Sequence, residues 1–234
     1  TKKAVILVGG KGTRLYPYTA VFPKPLIPVG DKPILEILVR QLKHYGFTDL
    51  TFCVGHLGSL IESFFKDGKW LDVNIEYSFE KKPLGTVAPL KLIKNLPEDF
   101  FVLNGDLLTT ANFGKIMQSH ENKKASLTIG VYKIEKKVDL GVLRIKNGII
   151  KEYKEKPTQT FFVSTGLYTF NKKVLDFIPE NEYFDIPQLV KLLIKKKERV
   201  VSHLIEGLWL DLGKPDDYQK AIELYANNGT LFKK

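Results

Sequence analysis

The chain has 234 residues, and 44% of them are hydrophobic, so it can bury a core as one large domain or two small ones. No apolar run reaches the roughly 18 residues of a membrane-spanning helix, and no signal-peptide pattern precedes the first apolar segment. The formal net charge of +10 suits an anionic partner, and the single cysteine, Cys53, excludes an internal disulfide bond. We therefore expect a cytoplasmic protein that handles nucleic acid or a small phosphorylated substrate.

Strands and helices alternate along the first 125 residues. The apolar segments predict strands at 4–8, 50–55, 73–79 and 100–106. Apolar spacing and end signals predict helices at 31–46, 59–68, 86–96 and 112–124. The first of these helices is predicted to be capped by Asp31 and ended by Gly46. This alternation predicts a mainly parallel sheet with helices on both faces.

The second half of the chain is richer in strands. Strands are predicted at 125–134, 141–145, 148–156 and 161–170. Asn147-Gly148 predicts a hairpin turn between the second and the third of them. A helix at 184–197, a strand at 200–213 and a last helix from Pro215 follow. Neither a fixed-period repeat nor a low-complexity linker is present, so we expect one compact unit.

A loop rich in glycine and positive charge follows the first strand. Its glycines lie where the backbone must turn or admit a ligand: Gly9, Gly10 and Gly12. The loop is not a Walker A sequence, because no Gly-Lys pair is followed by Ser or Thr, and Leu15 replaces the last glycine of a dinucleotide fingerprint. Free backbone N–H groups together with Arg14 and Lys24 can hold a triphosphate and neutralise a leaving pyrophosphate.

The segment "LVGGKGTRLYPYTAVFPKPLIPVGDKPILE" resembles the signature of the sugar-1-phosphate nucleotidylyltransferases, also called NDP-sugar pyrophosphorylases. The resemblance continues in family order through "KKPLGTVAPL", "FVLNGD", "LGVL", "EKP", "VSTGLY" and "WLDLGKPDDY", and is strongest to short, mannose-1-phosphate guanylyltransferase-like members. It implies an α/β fold of the nucleotide-diphospho-sugar transferase type: a Rossmann-like, mainly parallel but mixed sheet flanked by helices, with a small β-rich sugar-binding insertion. It also implies a single domain, 1–234, in which 1–125 binds nucleotide and 126–234 binds sugar phosphate.

The resemblance implies roles for individual residues. The nucleotide ligands that it implies are Leu7, Gly9, Gly10, Gly12, Thr13, Arg14, Lys24, Glu80, Gly85 and Thr86. The catalytic residues that it implies are Arg14, Lys24 and Asp106. The sugar-phosphate ligands that it implies are Gly141, Glu155, Lys156, Ser164 and Gly166. Glu155 would bond sugar hydroxyls and Lys156 the 1-phosphate, although local sequence alone favours a surface ion pair.

Two aspartates lie at or near the ends of predicted strands in different parts of the chain. Asp106 ends the strand 100–106, and Asp211 lies near the end of the strand 200–213. Because α/β folds bind ligands at the carboxyl ends of parallel strands, the two carboxylates can converge there. Taken singly, each aspartate is as typical of a turn or helix cap as of a metal ligand. The resemblance implies that the pair holds a catalytic Mg²⁺, which prefers oxygen ligands and substrate phosphates.

The identity of the substrates stays open at this stage. Ser164 stands where many relatives have Asn near the sugar. Glu80 can accept two parallel hydrogen bonds from guanine, which favours GTP with a mannose- or heptose-type sugar 1-phosphate. One alternative is a UTP- or dTTP-dependent enzyme for glucose 1-phosphate. In another interpretation Glu80 faces solvent among Lys81 and Lys82, and backbone groups read the base.

Three other functional classes fit the sequence less well. A glycosyltransferase of similar fold commonly carries an Asp-x-Asp metal motif, and no two aspartates of this chain are two residues apart. A nucleic-acid-binding module would need a basic stripe interleaved with aromatic residues, which is not apparent. An inactive sugar-nucleotide sensor would not need the charged residues that the chain retains, namely Arg14, Lys24, Asp106, Lys156 and Asp211.

The expected partners are therefore a nucleoside triphosphate and a sugar 1-phosphate, with Mg²⁺ as cofactor and with neither nucleic acid nor membrane. A homo-oligomer is left open. The histidines show no paired ligand spacing, so we expect structural roles for His44, His56, His120 and His203.

Overall fold

A seven-stranded sheet forms the centre of the computed structural model, which describes residues 2–10, 12, 18–213, 215–228 and 232. The strands in chain order are β1 (Lys2–Leu7), β2 (Pro28–Val29), β3 (Lys32–Pro33), β4 (Phe47–Val54), β5 (Asn74–Phe79), β6 (Asp99–Asn104), β7 (Leu107–Thr109), β8 (Leu127–Lys137), β9 (Val142–Lys146), β10 (Ile149–Lys154), β11 (Thr158–Asn171), β12 (Val200–Leu204) and β13 (Trp209–Asp211). The α-helices are α1 (Ile34–His44), α2 (Gly58–Phe65), α3 (Phe113–Lys123), α4 (Ile186–Lys195) and α5 (Pro215–Asn228).

The order across the sheet is β12-β8-β11-β6-β1-β4-β5. Strand β1 pairs in parallel with β4 and β6, β4 pairs in parallel with β5, and β8 pairs in parallel with β12. Strand β11 runs antiparallel to both of its neighbours, β6 and β8. The predicted mixed, mainly parallel sheet is confirmed.

Hydrophobic cores lie on both faces of this sheet. The side chains of β1 alternate between them: Ala4 and Ile6 pack with residues of α1, α2 and α3, whereas Val5 packs with residues of α4. The first strand is thus buried on both faces, as its unbroken apolar sequence predicts. None of the helices that the structure describes is both long enough and apolar enough to span a bilayer.

Strands β9 and β10 form a separate two-stranded ribbon, which we call the β9–β10 ribbon. The turn that joins them is the predicted one, because Asn147 and Gly148 both have positive φ angles, 51° and 76°. This ribbon, with the outer halves of β8 and β11, is the β-rich part that the sequence predicts after residue 125.

The helix predicted at 86–96 is wrong. The segment contains only a short 3-10 helix, Ala88–Leu92. The N–H groups of Val87 and Ala88 donate to the carbonyl oxygen of Phe184, at 3.2 and 3.3 Å. Asn95 then adopts a positive φ of 59° before Pro97. Tertiary hydrogen bonds at one end and this backbone reversal at the other limit the helix.

The strand predicted at 200–213 is divided in two. Strand β12 belongs to the main sheet, whereas β13 pairs antiparallel with β7. The chain changes direction between them at Gly207, whose φ is 89°.

The cap predicted at Asp31 is also wrong, because Pro33 occupies the position before α1 and gives it no side-chain cap. Asp31 lies in the turn between β2 and β3, where it pairs with Lys32 at 2.5 Å and accepts a hydrogen bond from Tyr225 at 3.2 Å. Gly46, with φ of 82°, follows the end of α1 as predicted.

Candidate functional site

A cavity of about 670 Å³ opens where the segments after β1, β4, β5 and β6 meet. These parallel strands bring their carboxyl ends to one edge of the sheet, which is where α/β folds bind ligands. The cavity is lined by the predicted nucleotide ligands Leu7, Gly9, Gly10, Gly12, Lys24, Glu80, Gly85 and Thr86. Thr13 and Arg14, the other two members of that predicted set, lie outside the described residues.

Glu80 faces this cavity and approaches Gly9 closely. A Cβ atom on Gly9 would lie 2.7 Å from Oε1 of Glu80, so a side chain at that position would displace the carboxylate. The other oxygen of Glu80 accepts a hydrogen bond from the Leu84 N–H at 2.8 Å. Burial raises the pKa of Glu80, and the hydrogen bond from Leu84 opposes that rise. Glu80 is therefore partly buried at the cavity wall, which Lys81 and Lys82 also line.

Lys24 is a buried cation in the lining of the cavity. It begins the short 3-10 helix Lys24–Leu26, where Pro23 and Pro25 restrict the backbone on either side of it. Its ammonium group donates to Oδ2 of Asp106 and lies 4.0 Å from Oδ1 of Asp211. Only 9% of Lys24 is exposed, so its charge acts in a medium that screens it less than water does.

The two aspartates converge by a route that the sequence does not predict. Asp106 follows β6 at the edge of the main sheet, as expected. Asp211, however, ends β13, which belongs to the small antiparallel pair with β7 and not to the parallel sheet. A hydrogen bond of 3.1 Å from the Leu212 N–H to the Asp106 carbonyl oxygen joins the two segments directly.

The Asp106 and Asp211 carboxylates fit a divalent cation that takes part of its coordination from elsewhere. Within the described ranges, no group of three or more His, Cys, Asp or Glu side chains could hold a metal ion. Mg²⁺ commonly binds through one or two carboxylates and completes its shell with water and substrate phosphates. The position of the Lys24 ammonium beside both carboxylates indicates that a positive charge is stabilised here.

A second cavity, of about 420 Å³, adjoins the first, and Asn104 lines both. It contains Ser164, Gly166 and Asp211 from the predicted set, with Trp209 and residues of α4 around them. Gly166 has a φ of 77°, and a Cβ atom there would lie 2.7 Å from Nδ2 of Asn104. Glycine at this position therefore allows the two segments to approach.

The remaining predicted sugar-phosphate ligands line neither cavity. Gly141, Glu155 and Lys156 lie at the ends of the β9–β10 ribbon, which is separate from the main sheet. The Glu155 carboxylate accepts a hydrogen bond from the Tyr153 hydroxyl at 2.5 Å, and the Tyr153 ring packs against Gly141. Lys156 is exposed. The structure does not bring these three residues to the cavities.

The first cavity is also lined by residues that the sequence reasoning missed, among them His56, Tyr183 and Asp185. His56 follows β4 as the glycine loop follows β1, so the rule that ligands bind at strand ends could have identified it. The expectation that all four histidines are structural is therefore not supported at His56. Tyr183 and Asp185 reach the cavity from the segment before α4, and no local sequence signal marks them.

Comparison with known proteins gives one family for nearly the whole chain. Residues 3–228 match the model of the family described as "Nucleotidyl transferase". Over 97% of its length, the chain is 34% identical to "Probable mannose-1-phosphate guanylyltransferase 3" of Oryza sativa subsp. japonica. It is also 34% identical, over 94% of its length, to "UTP--glucose-1-phosphate uridylyltransferase" of Synechocystis sp.. The chain spans 65% of the first relative's length and 62% of the second's.

Solved structures give the same result for the fold. The crystal structure of HddC from Yersinia pseudotuberculosis superposes with a TM-score of 0.75, covering 96% of this chain and all of the other. The two sequences are 24% identical, so this likeness supports the fold alone.

Proposed function

The chain belongs to the nucleotidyl transferase family, and on that premise we propose that it joins a nucleoside triphosphate to a sugar 1-phosphate and releases pyrophosphate. The observation that carries the proposal is the arrangement of the two adjoining cavities. The predicted nucleotide ligands that the structure describes line one cavity, and two predicted sugar ligands line the other. Lys24, Asp106 and Asp211 meet where the cavities adjoin.

In the proposed reaction an oxygen of the sugar 1-phosphate attacks the α-phosphorus of the nucleotide. The bond from that phosphorus to the oxygen bridging toward the β-phosphate breaks, and pyrophosphate leaves. Because no covalent intermediate with the protein is needed, catalysis depends on position and charge. The Lys24 ammonium neutralises charge on the phosphates, and we assign the same role to Arg14 from the family resemblance.

The proposed cofactor is Mg²⁺, held by Asp106 and Asp211. When bound, it would supply positive charge that neutralises the phosphates of the substrates. In this arrangement the Lys24 ammonium moves from its carboxylate partners toward the phosphate oxygens.

The sugar is proposed to occupy the second cavity, beside Ser164 and Gly166. For Gly141, Glu155 and Lys156 the sugar-phosphate role rests on the family resemblance alone. We propose one domain in which residues 1–125 bind mainly the nucleotide and residues 126–234 bind mainly the sugar phosphate. Tyr183 and Asp185 of the second half contribute to the nucleotide cavity.

We propose GTP with a mannose- or heptose-type sugar 1-phosphate as the substrates. The support is the Glu80 carboxylate, which faces the cavity and can accept hydrogen bonds from the N1–H and the exocyclic amine of guanine. Uracil and thymine present one N–H between two carbonyl oxygens, which the carboxylate repels. The second candidate, a UTP- or dTTP-dependent glucose-1-phosphate enzyme, is supported by the Leu84 N–H, which already engages one oxygen of Glu80.

The test is release of pyrophosphate from GTP, UTP, dTTP and CTP, each with a panel of sugar 1-phosphates, by the wild type and by Glu80→Gln. The proposal expects GTP to be preferred by about 10-fold or more in kcat/KM, because one charged hydrogen bond contributes about 1.5–3 kcal/mol. A preference for a pyrimidine nucleotide would select the second candidate. Nucleotide binding without pyrophosphate from any pair would indicate a regulatory sugar-nucleotide-binding homologue instead.

The proposed setting is the cytoplasm, and the proposed assembly is a homo-oligomer. One face of the β9–β10 ribbon supports the oligomer, because opposite residues of an antiparallel pair share a face. The pairs Leu143–Tyr153 and Ile145–Ile150 make this face apolar, and all four side chains are exposed. The ion pair Arg144–Glu152 lies on the opposite face, so the centre of the apolar face can meet a second copy without burying that pair.

A further inference from the structure

The segment 84–88, which lines the nucleotide cavity through Gly85 and Thr86, is attached to the segment before α4. The Phe184 N–H donates to the Leu84 carbonyl oxygen at 2.9 Å, and the Phe184 carbonyl oxygen accepts from the N–H groups of the two residues after Thr86. These contacts join parts of the chain about one hundred residues apart in sequence. The position of 84–88 is therefore set by the segment before α4.

The Asp185 side chain accepts three hydrogen bonds in this attachment. Its Oδ1 atom accepts hydrogen bonds from both the N–H and the hydroxyl of Thr86, each at 2.9 Å. Its Oδ2 atom accepts a hydrogen bond from the Tyr183 hydroxyl at 2.6 Å. The Thr86 hydroxyl in turn accepts from the Ile186 N–H at 2.9 Å. Asp185 thus holds Thr86 with a charged group, and such hydrogen bonds are about twice as strong as neutral ones.

The same contacts occupy polar groups of Thr86 that the resemblance assigns to the nucleotide. Its N–H and its hydroxyl proton both donate to Asp185. Gly85 fits equally closely, since it has a φ of 85° and a Cβ atom there would lie 2.7 Å from the Phe184 carbonyl oxygen. The backbone of Gly85 and Thr86, which a nucleotide in this cavity would meet, is therefore held in place by the segment before α4.

We propose that Asp185 is a positioning residue for the nucleotide: it holds Thr86, and thereby the Gly85–Thr86 lining of the cavity, in the conformation that receives the base. This inference rests on the proposed function, because it names the residue that shapes the nucleotide site. Asp185 acts through Thr86. Its loss is expected to weaken nucleotide binding and the discrimination between bases, both of which depend on the geometry of the lining.

A structural explanation competes with this one, since Asp185 also stands at the start of α4. The Gln188 side chain accepts a hydrogen bond from the Asp185 N–H at 2.8 Å, as in a capping box. Gln188→Ala is therefore the control for the cap, because it removes the Gln188 half of the capping box and leaves the contacts between Asp185 and Thr86 in place. The conservative variant Asp185→Asn is the rescue, because its amide oxygen can still accept both hydrogen bonds from Thr86.

The experiment titrates GTP and UTP by calorimetry, without sugar phosphate, into the wild type, Asp185→Ala, Asp185→Asn and Gln188→Ala. Asp185→Ala is expected to weaken binding of the preferred nucleotide about 10- to 100-fold and to reduce the ratio of the two affinities. Asp185→Asn and Gln188→Ala should stay within about fivefold of the wild type. Thr86→Val, which loses the hydroxyl contact, should shift in the same direction as Asp185→Ala and replaces it if that variant does not fold.

Steady-state kinetics then separates this role from a general loss of structure. The KM for the nucleotide should rise in Asp185→Ala, whereas the KM for the sugar 1-phosphate at saturating nucleotide should change less than about threefold. Equal changes in both KM values, or wild-type affinity in Asp185→Ala and Thr86→Val, would overturn this inference and leave the proposed function intact. A wild type that neither binds a nucleotide nor releases pyrophosphate would overturn both.

Discussion

Lys24 and the carboxylates of Asp106 and Asp211 form a group of charges where the two cavities adjoin. The ammonium pairs with Asp106 and approaches Asp211, so each charge is partly neutralised while no substrate is bound. Removing one member of a partly buried group of this kind leaves the others with an uncompensated charge. Substitution of either aspartate by asparagine keeps the shape of the side chain and removes its charge. We therefore expect these variants to lose activity while the protein stays folded.

Asp106→Asn and Asp211→Asn should each lower the rate of pyrophosphate release more than about 100-fold, because each removes a negative charge from the proposed cation site. Circular dichroism and the thermal midpoint should show that both variants remain folded. Asp67→Asn is the control, since Asp67 pairs with Lys69 at the surface. Near-wild-type turnover of either variant at saturating Mg²⁺ would exclude the site formed by the two aspartates.

His120 is a buried imidazole with a structural role. It is 1% exposed, and its ring nitrogens lie 2.8 Å from Oγ1 of Thr128 and 3.2 Å from Oδ1 of Asp99. Burial lowers the pKa of His120, and the nearby carboxylates of Asp99 and Glu121 only partly oppose the shift. The unfolded chain therefore binds a proton at a higher pH than the folded chain does.

The free energy of unfolding should consequently fall as the pH drops through about 6.5 toward the lower pKa of folded His120. His120→Gln should reduce this dependence, measured by urea unfolding between pH 8 and pH 5. Some dependence should remain, because burial also lowers the pKa of His203. His44→Gln controls for the loss of an exposed imidazole. A variant with the full wild-type dependence would contradict the assignment to His120.

The hydrophobic pattern of the sequence predicts most strands of the main sheet and the helices that cover it. Where a predicted element differs from the observed one, the cause is a tertiary contact. Segments such as β1 and β4 are apolar runs that a sheet covered on both faces requires. The helix predicted at 86–96 is shortened where Asn95 adopts a positive φ, and its first N–H groups bond to Phe184, a partner that no local pattern reveals. The strand at 200–213 fails because Gly207 redirects the chain and β7 offers a second pairing edge.

The same distinction applies to the candidate site. Residues on loops directly after sheet strands, such as Gly9 and Asp106, could be predicted from the strand-end rule. Asp211 reaches the site on β13, and Asp185 reaches it through contacts with Thr86, so their placement depends on pairings that only the folded chain defines. Glu155 and Lys156 are the opposite case. The family resemblance predicts them as site residues, but they lie at the end of the β9–β10 ribbon and line neither cavity.

Gly207→Ala should destabilise the protein more than Gly148→Ala. Both positions have positive φ angles, which cost a residue with a side chain about 1–2 kcal/mol. A Cβ atom on Gly148 would meet open space, whereas one on Gly207 would meet Oγ1 of Thr110, which accepts a hydrogen bond from the Leu208 N–H at 2.9 Å. Chemical unfolding should show a difference of about 1 kcal/mol or more, and equal losses would contradict this account of the turn.

At the scale of the whole molecule, the exposed apolar face of the β9–β10 ribbon bears on the state of assembly. A surface of this kind in a soluble protein commonly marks an interaction site. Sedimentation velocity should therefore show a dimer or a larger oligomer of the wild type at micromolar concentration. Ile150→Lys should shift the distribution toward monomer, because it brings charge into the proposed contact. Lys154→Ala, on the charged face, is the control. A monomeric wild type would contradict the proposed oligomer.

Coupling of a nucleoside triphosphate to a sugar 1-phosphate can be followed by phosphorus-31 NMR of the reaction mixture. With the preferred substrates and Mg²⁺, the signals of both substrates should decrease together. The signals of pyrophosphate and of a nucleoside diphosphate-sugar should appear, and the two products should form in a one-to-one ratio. Asp106→Asn should leave the spectrum unchanged over the same time. Release of inorganic phosphate in place of pyrophosphate, or no new signal with any substrate pair, would contradict the account.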